Sequence, residues 1–193
     1  MSVALVVNTL PVDFAQLYRA EVGRVWRVIS RLGVHSGEVE DAVQDVFIVA
    51  HKKLDTLRPE VAAGLWLTGI AVKVAHDYRR RAQRKPTGPL EPASHVPDAG
   101  AGPDELAARR DAMGLAMRLL DQLEPAQREV FVLAEFEQHT APEIAELTAT
   151  PLNTVYSRLR LGRAHFNELV AHHSLPLPEG ERVGERAYEK PHE

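Results

Sequence analysis

The stretch TAPEIAELTATPLNTVYSRLRLGRAHF, from Thr140 to Phe166, decides the fold. Thr140 and Glu143 have the spacing of a capping box, and Pro142 falls in the first turn, where its missing N–H costs nothing. A short helix from Ala141 to about Leu147 is expected, then a turn over TAT, then a second helix starting around Pro151 to Asn153. In that second helix Val155, Leu159, Gly162 and Phe166 are spaced by four, three and four residues and should point inward. Asn153, Thr154, Tyr156, Ser157, Arg158, Arg160 and Arg163 are left on exposed or flanking faces, and no acid stands between Pro151 and His165. Asn, Ser and Arg can meet base edges and phosphates in a major groove. The pattern predicts a helix-turn-helix, with a plain helical hairpin carrying surface arginines as the competing reading. Ala149 stands where such a turn usually has glycine, and a positive φ there is costly for alanine.

Working outward, DELAARRDAMGLAMRLLDQLEP is an amphipathic helix ending before Pro125, and AQREVFVLAEFEQ is a second. Residues 104–173 therefore form one helical domain. Residues 86–103, rich in Pro, Gly and Ala without a period, read as a flexible linker. Residues 12–85 are again helix-periodic, and residues 174–193 return to Pro, Gly and charge as a loose tail. No strand-like alternation persists, so the predicted fold is all-α: two small helical domains on a tether.

The first domain predicts three helices. The first starts at Asp13, placed to cap with Gln16, and its stripe is Phe14, Leu17, Tyr18, Val22, Val25 and Ile29. The second starts near Ser36, with a stripe at Val39, Ala42, Val43, Val46, Phe47, Ala50 and Leu54. The third follows Pro59, with Val61, Leu65, Trp66, Ile70, Val74 and Tyr78 on one side. Its end, KVAHDYRRRAQRK, carries six bases against one acid, which suits either a solvated helix end or a phosphate-binding surface.

Composition narrows the classes. The chain has 193 residues, 45% of them hydrophobic, and a formal net charge of -4. That charge does not argue against nucleic acid, because local clustering of Lys and Arg is what matters. The absence of cysteine excludes disulfides and thiolate metal sites. The apolar run Val3–Val7 is too short for a signal peptide or a membrane span, so a cytoplasmic protein without membrane insertion is expected. His172 and His173 are adjacent and diverge on a helix, and His76–Asp77 has no matching second set, so no metal is expected. No phosphate loop or nucleophile elbow is present, so neither an enzyme, a cofactor nor a small-molecule substrate is expected.

The segments DAVQDVFIVAHKKLDTLRPE, GLWLTGIAVKVAHDYRRR and LEPAQREVFVLAEFEQHTAPEIAELTATPLNTVYSRLRLGR, in this order and with this linker, together resemble the extracytoplasmic-function (ECF) sigma factors of bacterial RNA polymerase. The resemblance spans about residues 12–172. It implies that the first domain binds core RNA polymerase and opens the minus-ten promoter element, while the second reads the minus-thirty-five element of promoter DNA. By similarity, Asp41, Gln44 and Asp45, expected to be exposed on the second helix, would bind core polymerase. The loop LDTLRPEVAAG would supply a base pocket, and Lys73, His76, Asp77, Arg80 and Arg81 would line the single strand. Asn153, Thr154, Tyr156, Ser157, Arg158, Arg160 and Arg163 would read the minus-thirty-five element. An anti-sigma factor is a further partner implied by the family alone. The chain departs from the family's usual pattern at Ala63, Thr68, Gly69, Val72 and Lys73, and Leu161 stands where a base is usual. A free-standing helix-turn-helix regulator and a helical adaptor are the alternatives.

The tail yields the first prediction. Residues 175–193 carry five acids and three bases between prolines and glycines, a composition that buries little. Deleting them should leave the melting temperature essentially unchanged in a thermal denaturation experiment. A large drop would mean that the tail docks on a domain.

Overall fold

The computed structural model describes residues 13–57, 62–84 and 103–173. The expectations for the linker before Pro103, for the tail, for Lys85 and for residues 58–61 of the loop before the third helix lie outside them. The chain divides into two compact units, Met1–Ala101 and Gly102–Glu193. The described residues are helical, and none of their helices is long and apolar enough to cross a membrane.

The first unit is a three-helix bundle of α1 (Phe14–Arg31), α2 (Val39–Lys52) and α3 (Ala63–Arg84). Asp13 caps α1, but through the Ala15 N–H at 2.9 Å rather than through a partnership with Gln16. Gly33, at φ 85°, turns the chain out of α1. A 3-10 turn over Ser36–Glu38 then precedes α2, which delays its α-helical start to Val39. The α2 stripe is buried as its spacing requires, from Val39 through Ala42, Val43, Val46 and Phe47 to Ala50.

Two expectations shift. Tyr18 is exposed at the edge of α1, while Val28 joins the core. On α3 the buried set is Leu67, Thr68, Ile70, Ala71, Val72, Ala75 and Tyr78, and Leu65, Trp66 and Val74 are only half-buried. The reason is that α3 packs against both α1 and α2, so its buried arc is wider than a single stripe. Small residues at positions 71 and 75 suit that double contact.

Polar links fix the bundle. Arg24 donates to Thr68 Oγ1 at 3.2 Å and to the Gly64 carbonyl, and pairs with Glu21 at 2.8 Å. Arg79 donates to the Leu32 carbonyl at 3.0 Å, satisfying an acceptor at the C-terminal end of α1 that has no partner within its helix. Arg79 thus serves the fold, although it sits among the bases at the end of α3.

The second unit contains α4 (Pro103–Leu120), α5 (Pro125–Phe131), α6 (Ala141–Thr148) and α7 (Leu152–His172). Glu124 caps α5, accepting from the Ala126 and Gln127 N–H groups at 3.0 and 3.1 Å. The helix continues as a π turn over Val132–Phe136. The core is Leu119, Leu120, Leu123, Val130, Phe131, Val132, Leu133, Ile144, Val155 and Leu159. Arg128 is 7% exposed and its charge is met by Asp121 at 2.6 Å.

Between α6 and α7 the expected helix-turn-helix forms. The capping box is complete: Thr140 N–H donates to Glu143 at 2.7 Å, and Glu143 N–H donates to Thr140 Oγ1 at 3.5 Å. The Thr140 backbone hydrogen bond holds the Glu143 carboxyl below its ordinary pKa. Ala149 takes the left-handed conformation, φ 50° and ψ 40°, as the turn demands. That conformation brings the Cβ of a non-glycine residue close to its own carbonyl, at a cost of about 1 kcal/mol. Ala149→Gly should therefore stabilise the second unit by about 0.5–1 kcal/mol. Urea denaturation followed by circular dichroism would show it, because both tryptophans, Trp26 and Trp66, report on the first unit. An unchanged or lower midpoint would refute the assigned strain.

Candidate nucleic-acid interface

In the second unit the site is a helix face made available by what the opposite face buries. Val155, Leu159 and Gly162 are buried, and the Phe166 ring lies 4.8 Å from that of Phe131. At Gly162 an added Cβ would lie 3.3 Å from the Gln127 carbonyl oxygen and 3.5 Å from Phe131 Cβ. Glycine thus lets α7 approach the α5 backbone. With that side fixed, Asn153, Ser157 and Arg160 are exposed together on the outward face, while Thr154, Tyr156 and Arg158 are half-buried on its flanks.

The three arginines are not equivalent. Arg158 Nη1 donates to Thr150 Oγ1 at 3.4 Å, which ties it to the turn. Arg163 reaches back to Glu135 on the π turn, with Nε and Nη2 at 2.7 and 2.6 Å from the same carboxylate oxygen. Arg163 therefore meets a carboxylate within the fold, although its sequence neighbourhood holds no acid. Arg160 alone of the three is fully on the outward face.

In the first unit Lys73, His76, Asp77, Arg80 and Arg81 are all exposed. At about 100° per residue, Lys73, His76, Asp77, Arg80 and Arg84 form one continuous outward stripe on α3. Arg80 pairs with Asp77 at 2.9 Å in the open, where such a pair is weak and easily exchanged. Arg81 leans over the Tyr78 ring at 5.2 Å.

On α2, Asp41 and Gln44 are exposed as expected, but Asp45 is not. It is half-buried and accepts a hydrogen bond from Tyr78 Oη at 2.9 Å, because the α2–α3 contact brings the two together. Sequence reasoning also missed the apolar groove beside Gln44, lined by Phe14, Tyr18, Val22, Trp26 and Ile48 of α1 and α2. Ile48 lies off the buried stripe of α2, and that was the available signal.

Comparison with known proteins assigns the chain to a family. Residues 17–85 match sigma-70 region 2 and residues 113–166 match sigma-70 region 4. The ECF RNA polymerase sigma-E factor of Escherichia coli (strain K12) is 31% identical over 155 residues, covering 76% of this chain and 81% of that protein. The chain belongs to the ECF sigma factors. The ECF sigma factor SigM of Mycobacterium tuberculosis is 28% identical over 159 residues, covering 82% of this chain and 78% of that one. Among solved structures, the sigma factor RpoE in complex with the anti-sigma factor NepR, from Bartonella quintana, matches with TM-score 0.66 and 20% identity over 82% of this chain and 97% of that one. CnrH, in complex with the cytosolic domain of CnrY, matches with TM-score 0.58 and 25% identity, over 83% and 89% of the two chains. As a sigma factor the protein binds core RNA polymerase and directs promoter-specific transcription initiation, and two sigma-70 regions in order disfavour a free-standing regulator.

Asp45 and Tyr78 of this sigma factor give a pH prediction. Burial first, then the hydrogen bond to Asp45 and the charges of Asp45 and Asp41, push the Tyr78 phenol up to about 12 from its ordinary 10. Between those values the unfolded chain releases the proton and the folded chain keeps it. Stability is thus fully present below pH 10 and lost as pH rises towards 12, by at most about 3 kcal/mol. Tryptophan fluorescence during denaturation across this range should show the loss in the parent chain and a shallower loss in Tyr78→Phe. Parallel curves would refute the Tyr78 assignment.

Proposed function

We propose that the sigma factor divides its work between the two units, with the first gripping core polymerase through α2 and holding the opened minus-ten strand on α3. The second reads the minus-thirty-five element with α7. The observation carrying this reading is the outward face of α7, where Asn153, Ser157 and Arg160 stand together while Val155, Leu159 and Gly162 are buried behind them. Such a face offers donors and acceptors suited to base edges. The α3 stripe of Lys73, His76, Asp77, Arg80 and Arg84, with Arg81 beside it, suits a single strand, and the exposed Arg80 can exchange Asp77 for a phosphate.

For polymerase binding, Asp41 and Gln44 are the exposed polar groups, and the groove beside Gln44 adds apolar area. Asp45 contributes by holding Tyr78 rather than by facing the partner. The chain's overall acidity fits this division, since a polymerase-binding face need not be basic. The protein works in the cytoplasm, where the polymerase is, and as a specificity subunit it supplies no catalytic group. The fold it shares with RpoE, a sigma factor bound by the anti-sigma factor NepR, supports an anti-sigma factor as a further partner.

The test is reconstitution. The purified chain should bind promoter duplex weakly, and specific binding and strand opening should appear only with core polymerase, which brings both tethered surfaces onto one promoter. Asp41→Arg combined with Gln44→Ala should weaken core binding about ten-fold or more while helix content is unchanged. Arg160→Ala should weaken promoter recognition and leave core binding intact. Tight, site-specific duplex binding by the chain alone would refute the division, as would unaltered core affinity in the double variant.

A further inference from the structure

We propose that Leu161 is a specificity-determining residue of the minus-thirty-five reader, making apolar contact with the 5-methyl group of a thymine in the major groove. This rests on the reading that α7 enters that groove, and it deepens it.

Leu161 is 45% exposed, more than any other large apolar side chain among the described residues. The core does not use it, since Val155, Leu159 and Gly162 already form the buried side of α7. Its place on the helix is informative. It lies one turn beyond Ser157, rotated from it by only about 40°, and about 12 Å along the axis from Asn153. That distance matches the width of a major groove, about 12 Å, so one groove can take Asn153, Ser157 and Leu161 together. The other exposed leucine of this helix, Leu152, is rotated about 180° from Leu161 and lies off the shared face.

The neighbouring side chains limit what can be read at this position. Arg158 is tied to Thr150 and Arg163 to Glu135, while Arg160 projects from the other side of the outward face. Leu161 has no hydrogen-bonding group of its own. It can distinguish base pairs only by shape and by covering apolar surface, and thymine's methyl is the apolar group on the major-groove edge. Covering the leucine with that methyl removes carbon surface of both from water. A guanine or adenine at the same place would turn polar acceptors towards a side chain that cannot answer them.

The experiment uses holoenzyme reconstituted from the full chain and core polymerase. A minus-thirty-five sequence is first selected from promoter duplexes randomised in that element. Each thymine of the selected element is then replaced singly by deoxyuridine, which removes the methyl and preserves base pairing. One or two positions should weaken holoenzyme binding about four-fold, the value of burying one methyl group. Leu161→Ala should abolish that sensitivity with little change in melting temperature. Leu161→Arg should shift preference at the same base pair towards guanine, which offers two acceptors to a guanidinium. A selected element without thymine, or methyl sensitivity that persists in Leu161→Ala, overturns the assignment. So does indifference to uracil at every position. Asn153→Ala and Arg160→Ala separate the two levels. If both select the parent sequence, the groove reading itself fails; if either changes the selection while uracil has no effect, only the role of Leu161 fails.

Discussion

The close approach of α7 to the backbone of α5 governs the second unit. A side chain as small as a methyl at position 162 would press on the Gln127 carbonyl and lie in contact with the Phe131 side chain. Where two helices meet with backbone against side chain, rotation of either is resisted by close-packed atoms. The Phe131–Phe166 ring contact lies one turn further along the same seam. Together they fix which arc of α7 is hidden, and therefore which arc is presented. Asn153, Ser157, Arg160 and Leu161 owe their common direction to residues on the far side of the helix.

The first unit meets a related requirement differently. Its α3 is clasped by two helices, and only a narrow outward arc is free to carry charge. Bases crowded near one helix end repel one another, and the fold gives three of them separate partners. Arg79 is turned inward to the Leu32 carbonyl, Arg81 is laid over an aromatic ring, and Arg80 is matched to Asp77. What remains outward is a stripe of moderate charge rather than a block. Moderate charge would suit the strand-holding role proposed for this face, because fewer phosphate contacts make release easier.

Much of this was legible in the sequence. The 3-4 spacing on α2 and the capping box at Thr140 are local signals, and each reproduces its element to within a few residues. The buried arc of α3 was misjudged because a helix packed on two sides hides small residues such as Ala71 and Ala75, which a search for large apolar spacing passes over. Asp45 was misplaced, and the tie of Arg163 to Glu135 went unseen, for another reason. Their partners, Tyr78 and Glu135, stand 33 and 28 residues away in the chain, so no local pattern betrays the pairing. The helix-turn-helix survived the loss of its usual glycine because the packing of α6 and α7 outweighs a strain of about 1 kcal/mol at Ala149.

Each unit closes its own core: Val25, Ile29, Val46 and Leu67 in one, Leu120, Phe131, Ile144 and Val155 in the other. Inheritance can act on such a chain in halves. A substitution that alters the α7 face leaves the α2 surface and its supporting core as they were. On the division of labour proposed above, a lineage could exchange one reading head for another by recombination between the units, keeping its fit to the polymerase while acquiring a new set of target genes.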